Sequence, residues 1–314
     1  MTDSMAIVTK SVMVEIIDYP GSLQSAVFGV KEFLQMANSL EPSAEKTQFN
    51  VQIQAHDSVG VSNADIIILP PNLDGCYYLE PSDTLLEYLI ESHQRGAILC
   101  SACAGVFILA KTGLLEGRTV TTHWQAQQKF TELYPQIAVD IDKILIDDAD
   151  VMTAGGLMSW MDLALFILTK YTTPTNTRNL GKYLVLDTGL REQRYYQSFV
   201  PNYAHGNDKI VSVQRFIQKN HHLSLSLDQL AEEAFMTRRT FIRQFTKATS
   251  FTPINYIQHV RIQSACELLE SSHKPVEQIS YLVGYEDVNS FRKVFMKIIG
   301  LTPSRFRSRF FSEE

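Results

Sequence analysis

The last third of the 314-residue chain contains the same piece twice. The stretch FIRQF at 241–245 aligns with FRKVF at 291–295, an offset of 50. Thr252-Pro253 and Thr302-Pro303, Lys247 and Lys297, and Tyr256 and Phe306 keep that offset. Just upstream the match continues at an offset of 49, with Leu230-Ala231 against Ile279-Ser280. Two copies make a duplicated supersecondary unit rather than a solenoid. The chain must therefore build two similar small helical cores side by side in sequence.

Each copy has the grammar of a helix-turn-helix. In the first, a short helix over 227–234 follows Ser226 or Asp228 as a cap, a turn falls at Phe235-Met236, and Thr237 caps a helix running through Thr246. In the second, the short helix covers 276–283, Gly284-Tyr285 form the turn, and Asp287 or Asn289 opens the next helix. Gly284 suits a left-handed turn. Phe235 at the matching place predicts a differently shaped turn, because a bulky residue resists positive φ. The second helices are amphipathic, with Phe241 and Phe245 on one buried face and Phe291, Phe295 and Ile298 on the other. The opposite faces carry Arg238, Arg239, Thr240, Arg243 and Lys247 in one copy, and Val288, Asn289, Arg292, Lys293 and Lys297 in the other. Arg can pair bidentately with guanine, and Asn with adenine. These residues are the candidate DNA contacts. A solvated basic face explains such a pattern once; its recurrence at matched positions favours recognition.

Net charge hides this division. The chain as a whole carries −6, which alone argues against nucleic acid. Residues 1–207 hold 13 Lys+Arg against 23 Asp+Glu, whereas residues 208–314 hold 15 against 11. A basic DNA-binding part joined to an acidic one fits that asymmetry. The composition, 45% hydrophobic and 20% charged, is that of a soluble globular chain and excludes disordered or collagen-like classes. No apolar run approaches the roughly 18 residues of a membrane span, and residues 1–10 lack a signal-peptide pattern, so the cytoplasm is the expected compartment and no membrane partner is expected. Cys76, Cys100, Cys103 and Cys266 form no metal framework, Cys100 and Cys103 alone giving a weak redox hint, and no cofactor or metal is expected.

The front of the chain alternates strand and helix patterns. Strands are predicted over 11–17, 49–54, 65–69, 97–100, 120–122, 144–146 and 151–153, and helices over 27–38, 85–95, 107–110 and 162–170. This order predicts an α/β domain with a mainly parallel sheet covered on both faces. The connection that follows is polar and turn-rich over 172–177, strand-like over 183–187 (YLVLD), and hinge-like over 201–207, which places the boundary near Asn207.

One junction in the front part can carry chemistry. Residues 97–107 (AILCSACAGVF) run from an apolar strand into a helix, with Cys103 at the bend and Gly105 just after, the shape of a nucleophile elbow. A helix N-terminus would lower the thiol pKa there. His123 could orient or deprotonate the thiol, and Glu15 or Asp18 could supply a carboxylate. A small Cys between two alanines and a His beside Trp124 are equally what packing alone produces.

The stretch SACAGVFILAKTGLLEGRTVTTHW, residues 101–124, closely resembles the PfpI-type, class I glutamine-amidotransferase-like sensor domains of transcription regulators. So does TAGGLMSWMDLAL at 153–165, with Asp162 on its helix. The resemblance covers residues 12–171. It implies a flavodoxin-like, amidotransferase-like sensor domain over about 10–200 and a hinge over 201–208. In hydrolytic relatives a Gly-rich loop after the central strand helps form an oxyanion hole. Here that loop reads LPPNL at 69–73, and Pro70 and Pro71 have no N–H to donate. A cleft at the switch region remains for a small molecule.

Residues 208–310 resemble the AraC/XylS-type DNA-binding domain. The matching residues are Arg261, Ala265, Leu268-Leu269, Ser271, Val276, Ile279, Gly284-Tyr285, Ser290-Phe291, Phe295, Gly300, Thr302-Pro303 and Arg307, with Ser250 standing where a Gly is usual. The resemblance implies an all-α domain over 209–310. Its two helix-turn-helix units, about 228–249 and about 276–299, are joined by one long helix over 253–272. Both recognition helices would enter successive major grooves, about 34 Å apart on one face of the duplex. The whole is similar to the GlxA-type regulators.

The expectation is a sequence-specific transcriptional regulator of double-stranded promoter DNA whose front domain senses a small-molecule effector, an amino acid or other nitrogenous compound. A homodimer is expected, with RNA polymerase as a partner if the protein activates. Glu15, Asp18, Cys103 and His123 are the candidate ligand-binding residues. No enzyme activity is expected, Cys103 and His123 being vestigial. The rival reading is a Cys103–His123 amidase or peptidase fused to a DNA-binding module, and a third is non-specific DNA binding.

Overall fold

The computed structural model describes residues 8–40, 45–189 and 191–312. The chain divides into two compact units between Gln193 and Arg194. No helix among the described residues is long and apolar enough to cross a membrane.

The first unit runs β1 (Val8–Asp18), α1 (Gln24–Leu40), β2 (Glu45–Ala55), β3 (Ile66–Leu69), α2 (Asp83–Gln94), β4 (Ile98–Ala102), α3 (Gly105–Lys111), β5 (Thr119–Val120), α4 (Gln127–Leu133), β6 (Ala138–Val139), β7 (Leu145–Asp148), β8 (Val151–Ala154), α5 (Trp160–Tyr171) and α6 (Pro174–Leu184). The main sheet has the order β2-β1-β3-β4-β8-β7. Its pairs are parallel except β7 with β8. The strand expected over 120–122 is only Thr119–Val120 and pairs with β6 in a separate small sheet.

Alternation along each strand sends side chains to two cores. Val12, Val14 and Ile16 of β1 and Ile66 and Ile68 of β3 pack against Val27, Val30, Phe33 and Leu34 of α1 and Leu163 and Ile167 of α5. Ile17, Ile67 and Leu69 face the opposite way, onto Leu85 and Leu89 of α2, Phe107 of α3 and Phe130 of α4. The wholly buried run of β3 is what a central strand covered on both faces requires.

The strand expected over 183–187 does not form. Thr173 caps α6 by accepting from the Asn176 N–H, Pro174 fits its first turn, and the helix runs to Leu184. Val185 then turns left-handed at φ 56°. Leu184 and Leu186 pack on the first core while Tyr183 and Val185 stay exposed. An apolar alternation at a helix end thus mimicked a strand.

The second unit is helical: α7 (Asp208–Asn220), α8 (Leu227–Glu233), α9 (Arg238–Thr249), α10 (Pro253–Ser271), α11 (Val276–Leu282), α12 (Val288–Ile299) and α13 (Pro303–Phe310). One core gathers Leu230, Ala234, Phe241, Phe245, Tyr256 and Val260. The other gathers Ile279, Val283, Phe291, Phe295 and Phe306 with Ile262, Ala265 and Leu269. The segment after Gln193 belongs here, ahead of the expected hinge. Phe199 packs edge-on to Phe251 and Tyr256, and its N–H donates to Gln263 Oε1 at 3.0 Å.

The two turns have the same shape, contrary to the expectation for Phe235. Phe235 sits at φ 53° and Gly284 at φ 93°. Met236 N–H donates to Ala231 O at 2.9 Å, and Tyr285 N–H to Ser280 O at 3.0 Å. The neighbours explain the different residues. A Cβ on Gly284 would lie 2.8 Å from His221 O and 2.9 Å from His222 O. The Phe235 side chain is 86% exposed and meets no such wall. Ser250 likewise turns left-handed, at φ 63°, where Gly300 does at φ 82°.

In urea unfolding of the full chain, Gly284→Ala should destabilise the second unit by roughly 2 kcal/mol, because it adds both left-handed strain and a carbonyl clash. Phe235→Gly should stabilise it, by up to about 1 kcal/mol, by removing strain that no burial offsets. The reverse order of these effects would contradict the packing described.

Candidate functional site

In the first unit the strand-to-helix elbow forms. β4 ends at Ala102, Cys103 takes φ 53°, and Ala104 leads into α3. The bend is over-determined by its neighbours. Cys103 N–H donates to Ala154 O at 2.8 Å, and Thr122 Oγ1 donates to Cys103 O at 2.9 Å. Gly105 must lack a Cβ, which would come within 2.7 Å of Leu69 O. Such strain at a non-glycine residue is a feature of functional sites.

The chemistry of a nucleophile is missing from that geometry. Burial pushes the Cys103 thiol up to about 11, only partly offset by the Ala104 N–H. The helix-terminus effect expected to lower it is outweighed by desolvation, and roughly one thiol in ten thousand is ionised at pH 7. Burial also lowers the His123 pKa. His123 Nδ1 accepts from Gln125 N–H at 3.2 Å and the ring stacks on Trp124, with no hydrogen bond to Cys103 among the described residues. In the loop after β3, Pro70 O accepts from the Tyr19 hydroxyl at 2.5 Å and Pro71 O from Leu23 N–H at 2.7 Å, while Pro70 and Pro71 have no N–H to offer an oxyanion. The buried Tyr19 phenol is raised by desolvation and by the neighbouring Cys103.

The two candidate carboxylates have local partners. Asp18 accepts from Ser22 Oγ at 2.6 Å and Gln24 Nε2 at 2.9 Å at the C-terminal end of β1. Glu15 accepts from Ser62 Oγ at 2.9 Å and from the Tyr88 hydroxyl. Neither is hydrogen-bonded to Cys103 or His123.

Gln193 is a residue that sequence reasoning missed. It is 3% exposed. Its Nε2 donates to Thr122 O and Ile141 O, both at 2.9 Å, and its Oε1 accepts from Trp124 N–H at 3.0 Å. Gly155 makes room for it, since a Cβ there would lie 2.3 Å from Gln193 Nε2. The last residue of the first unit therefore ties down the loop that carries Thr122 and His123. A single glutamine in a polar run gives no signal of this in the sequence.

In the second unit, α9 and α12 have the same start. Thr237 Oγ1 accepts from the Thr240 N–H, and the Asp287 carboxylate from the Asn289 and Ser290 N–H groups. Their buried faces match, with Phe241, Phe245, Phe291 and Phe295 all at 0% exposure. On the outer faces Arg238, Arg239, Arg243 and Lys247 are exposed, as are Asn289, Arg292, Lys293 and Lys297, while Thr240 and Val288 are half-buried. Arg238 pairs loosely with Asp228 at 3.5 Å. Arg261 turns inward instead. Its Nε donates to His221 O at 2.7 Å, its guanidinium also donates to Leu223 O at 2.8 Å, and it lies over the Tyr285 ring.

A DJ-1/PfpI family model matches residues 29–170 and a helix-turn-helix domain model matches residues 230–309. The chain is 29% identical over 226 residues to the HTH-type transcriptional regulator CdhR of Pseudomonas aeruginosa, covering 71% of this chain and 67% of CdhR. It is 26% identical over 218 residues to the HTH-type transcriptional regulator ArgR of the same organism, covering 69% and 66%. Over 104 residues it is 32% identical to the MmsAB operon regulatory protein, also of Pseudomonas aeruginosa, covering 33% and 34%. The matched region thus spans about two thirds of CdhR and ArgR and one third of the third relative. Two family models thus match separate parts of the chain, and over about two thirds of its length it is similar to HTH-type transcriptional regulators.

Alkylation with iodoacetamide at pH 7.5, read by mass spectrometry, should modify the exposed Cys76 well before Cys103. The Cys103 rate should climb only as the pH nears 11. Faster labelling of Cys103 than of Cys76 at neutral pH would show an activated thiol.

Proposed function

We propose that this protein is a sequence-specific regulator of transcription that grips promoter DNA with α9 and α12 and senses a small metabolite through its first unit. The observation that supports DNA recognition is the pair of matched helix-turn-helix units built on one helix, α10, each exposing cationic side chains from a helix whose other face is fully buried. A helix held in that way can present its first turns to base edges in a major groove.

The effector is proposed to be an amino acid or another nitrogenous compound. The excess of acidic side chains over residues 1–207, with Asp18 at the C-terminal edge of the sheet, suits a cationic group. The elbow is proposed as a binding and strain element without turnover, because burial keeps its thiol protonated and Pro70 and Pro71 of the adjoining loop have no N–H to donate. A homodimer on the operator, with RNA polymerase engaged when the protein activates, completes the proposal. The effector must bind one state of the chain better than another to alter transcription.

Gel-shift titration of the full chain against fragmented genomic DNA at about 150 mM salt should reveal a minority of fragments bound far more tightly than bulk DNA. Cys103→Ala should leave that selectivity intact. Uniform affinity for all fragments would reject the reading, and amide or peptide turnover abolished by Cys103→Ala would replace it with the enzyme.

A further inference from the structure

Residues 191–193 close the first unit, and each is tied to it. Arg191 donates to both carboxylate oxygens of Asp162 in the first turn of α5, at 2.7 and 2.5 Å. Glu192 forms an antiparallel bridge with Lys143, and their side chains pair at 3.7 Å. Gln193 N–H donates to Asp142 O at 2.9 Å, in addition to the bonds of its buried side chain. The very next residue, Arg194, belongs to the second unit. It lies against the turn that ends α12, where a Cβ on Gly300 would come within 2.2 Å of its Nε. The Tyr196 hydroxyl accepts from Arg309 of α13 at 2.8 Å, and its ring packs edge-on to Phe310. Phe199 sits among Phe251, Tyr256 and His259, with its N–H on Gln263 Oε1.

Boundaries between domains ordinarily fall in exposed, polar segments that make few contacts. Residues 191–199 instead carry anchors to one unit and then to the other with no slack residue between them. Inside the second unit the segment touches one helix-turn-helix half through Arg194 and Tyr196 and the other half through Phe199, so it bridges the same two cores that α10 joins. Inside the first unit the Gln193 side chain is linked to the strained elbow through one residue. Thr122 O accepts from Gln193 Nε2, and Thr122 Oγ1 donates to Cys103 O. Thr122 is 0% exposed, so no solvent is at hand to replace either bond.

Resting on the regulator reading above, we infer that residues 191–199 are a strap through which the elbow sets the DNA affinity of the second unit, with Thr122 and Gln193 as its positioning residues. A ligand that displaces the Cys103 carbonyl or the Thr122 loop takes acceptors away from the chain of bonds that ends at Gln193. The displacement passes to Arg194 because it is the adjoining residue. The strap then shifts on Arg309, Phe310 and Phe251, the groups that fix it to the two helix-turn-helix halves. Such a device responds to an effector only as far as that effector binds the tied and the released states differently.

The test is fluorescence-anisotropy titration of the full chain on a DNA fragment that the wild type selects, for Gln193→Ala, Thr122→Val, their double variant and Thr122→Ser. Each is repeated with a Gly-Ser-Gly-Ser insertion between residues 193 and 194. Gln193→Ala and Thr122→Val should each change Kd in the same direction, by about fivefold or more. The double variant should change it by less than the product of the two, because both break one chain of bonds. Thr122→Ser, which keeps the hydroxyl, should bind as the wild type does, and the insertion should bring all variants to a common Kd. A purely structural role would lower the melting temperature of the first unit and leave Kd where it was. The inference is overturned if Gln193→Ala and Thr122→Val, with native circular dichroism, keep the wild-type Kd, or if their shifts survive the insertion. A folded wild-type chain that selects no fragment would instead overturn the regulator reading itself.

Discussion

The burial of α10 into two cores at once governs the DNA-binding unit. Tyr256, Ile257 and Val260 of this helix complete the core around Phe241 and Phe245. Ile262, Ala265, Cys266 and Leu269, further along the same helix, complete the core around Phe291 and Phe295. A helix of 19 residues is roughly 28 Å long and stiff on that scale. Two units anchored to it by apolar side chains at nearly zero exposure cannot turn independently. The small interiors of α8–α9 and α11–α12 gain stability from the shared helix, and the spacing of their outer faces is fixed by the same contacts.

The first unit illustrates how a fold can keep the geometry of a site and lose its chemistry. The doubly covered sheet holds Cys103 in a left-handed bend between β4 and α3, as a nucleophile elbow does. The side chains around that bend then disarm it. Desolvation keeps the thiol protonated, His123 is occupied by the cap of its own turn, and the prolines after β3 direct carbonyls to Tyr19 and Leu23. Gln193, Thr122 and the Cys103 carbonyl instead form a connected set of hydrogen bonds. Strain and connectivity are the properties a binding site with two states would use.

Much of this was legible in the sequence because it rests on period and repetition. The 50-residue offset located both helix-turn-helix units, their caps at Ser226 and Thr237, and the buried phenylalanines. The alternation of strand and helix patterns located the parallel sheet and helix α1. What escaped depends on partners distant in sequence. Phe235 takes positive φ because nothing crowds its side chain, while the walls that demand glycine at 284 come from the 221–222 carbonyls. The role of Gln193 comes from carbonyls 52 and 71 residues away. Residues 183–187 read as a strand because Leu184 and Leu186 alternate with exposed neighbours, yet the Thr173-Pro174 start had already committed the chain to a helix. Arg261, conspicuous in the sequence, gave no sign that it would clamp carbonyls rather than face solvent.

Hydroxyl-radical footprinting of the full chain on a fragment it selects measures the geometry of the reading head directly. Rigid coupling through α10 predicts that each bound chain protects a pair of patches on one face of the duplex, centred about one helical turn, or 10 base pairs, apart. A single patch, or two patches on opposite faces, would contradict it.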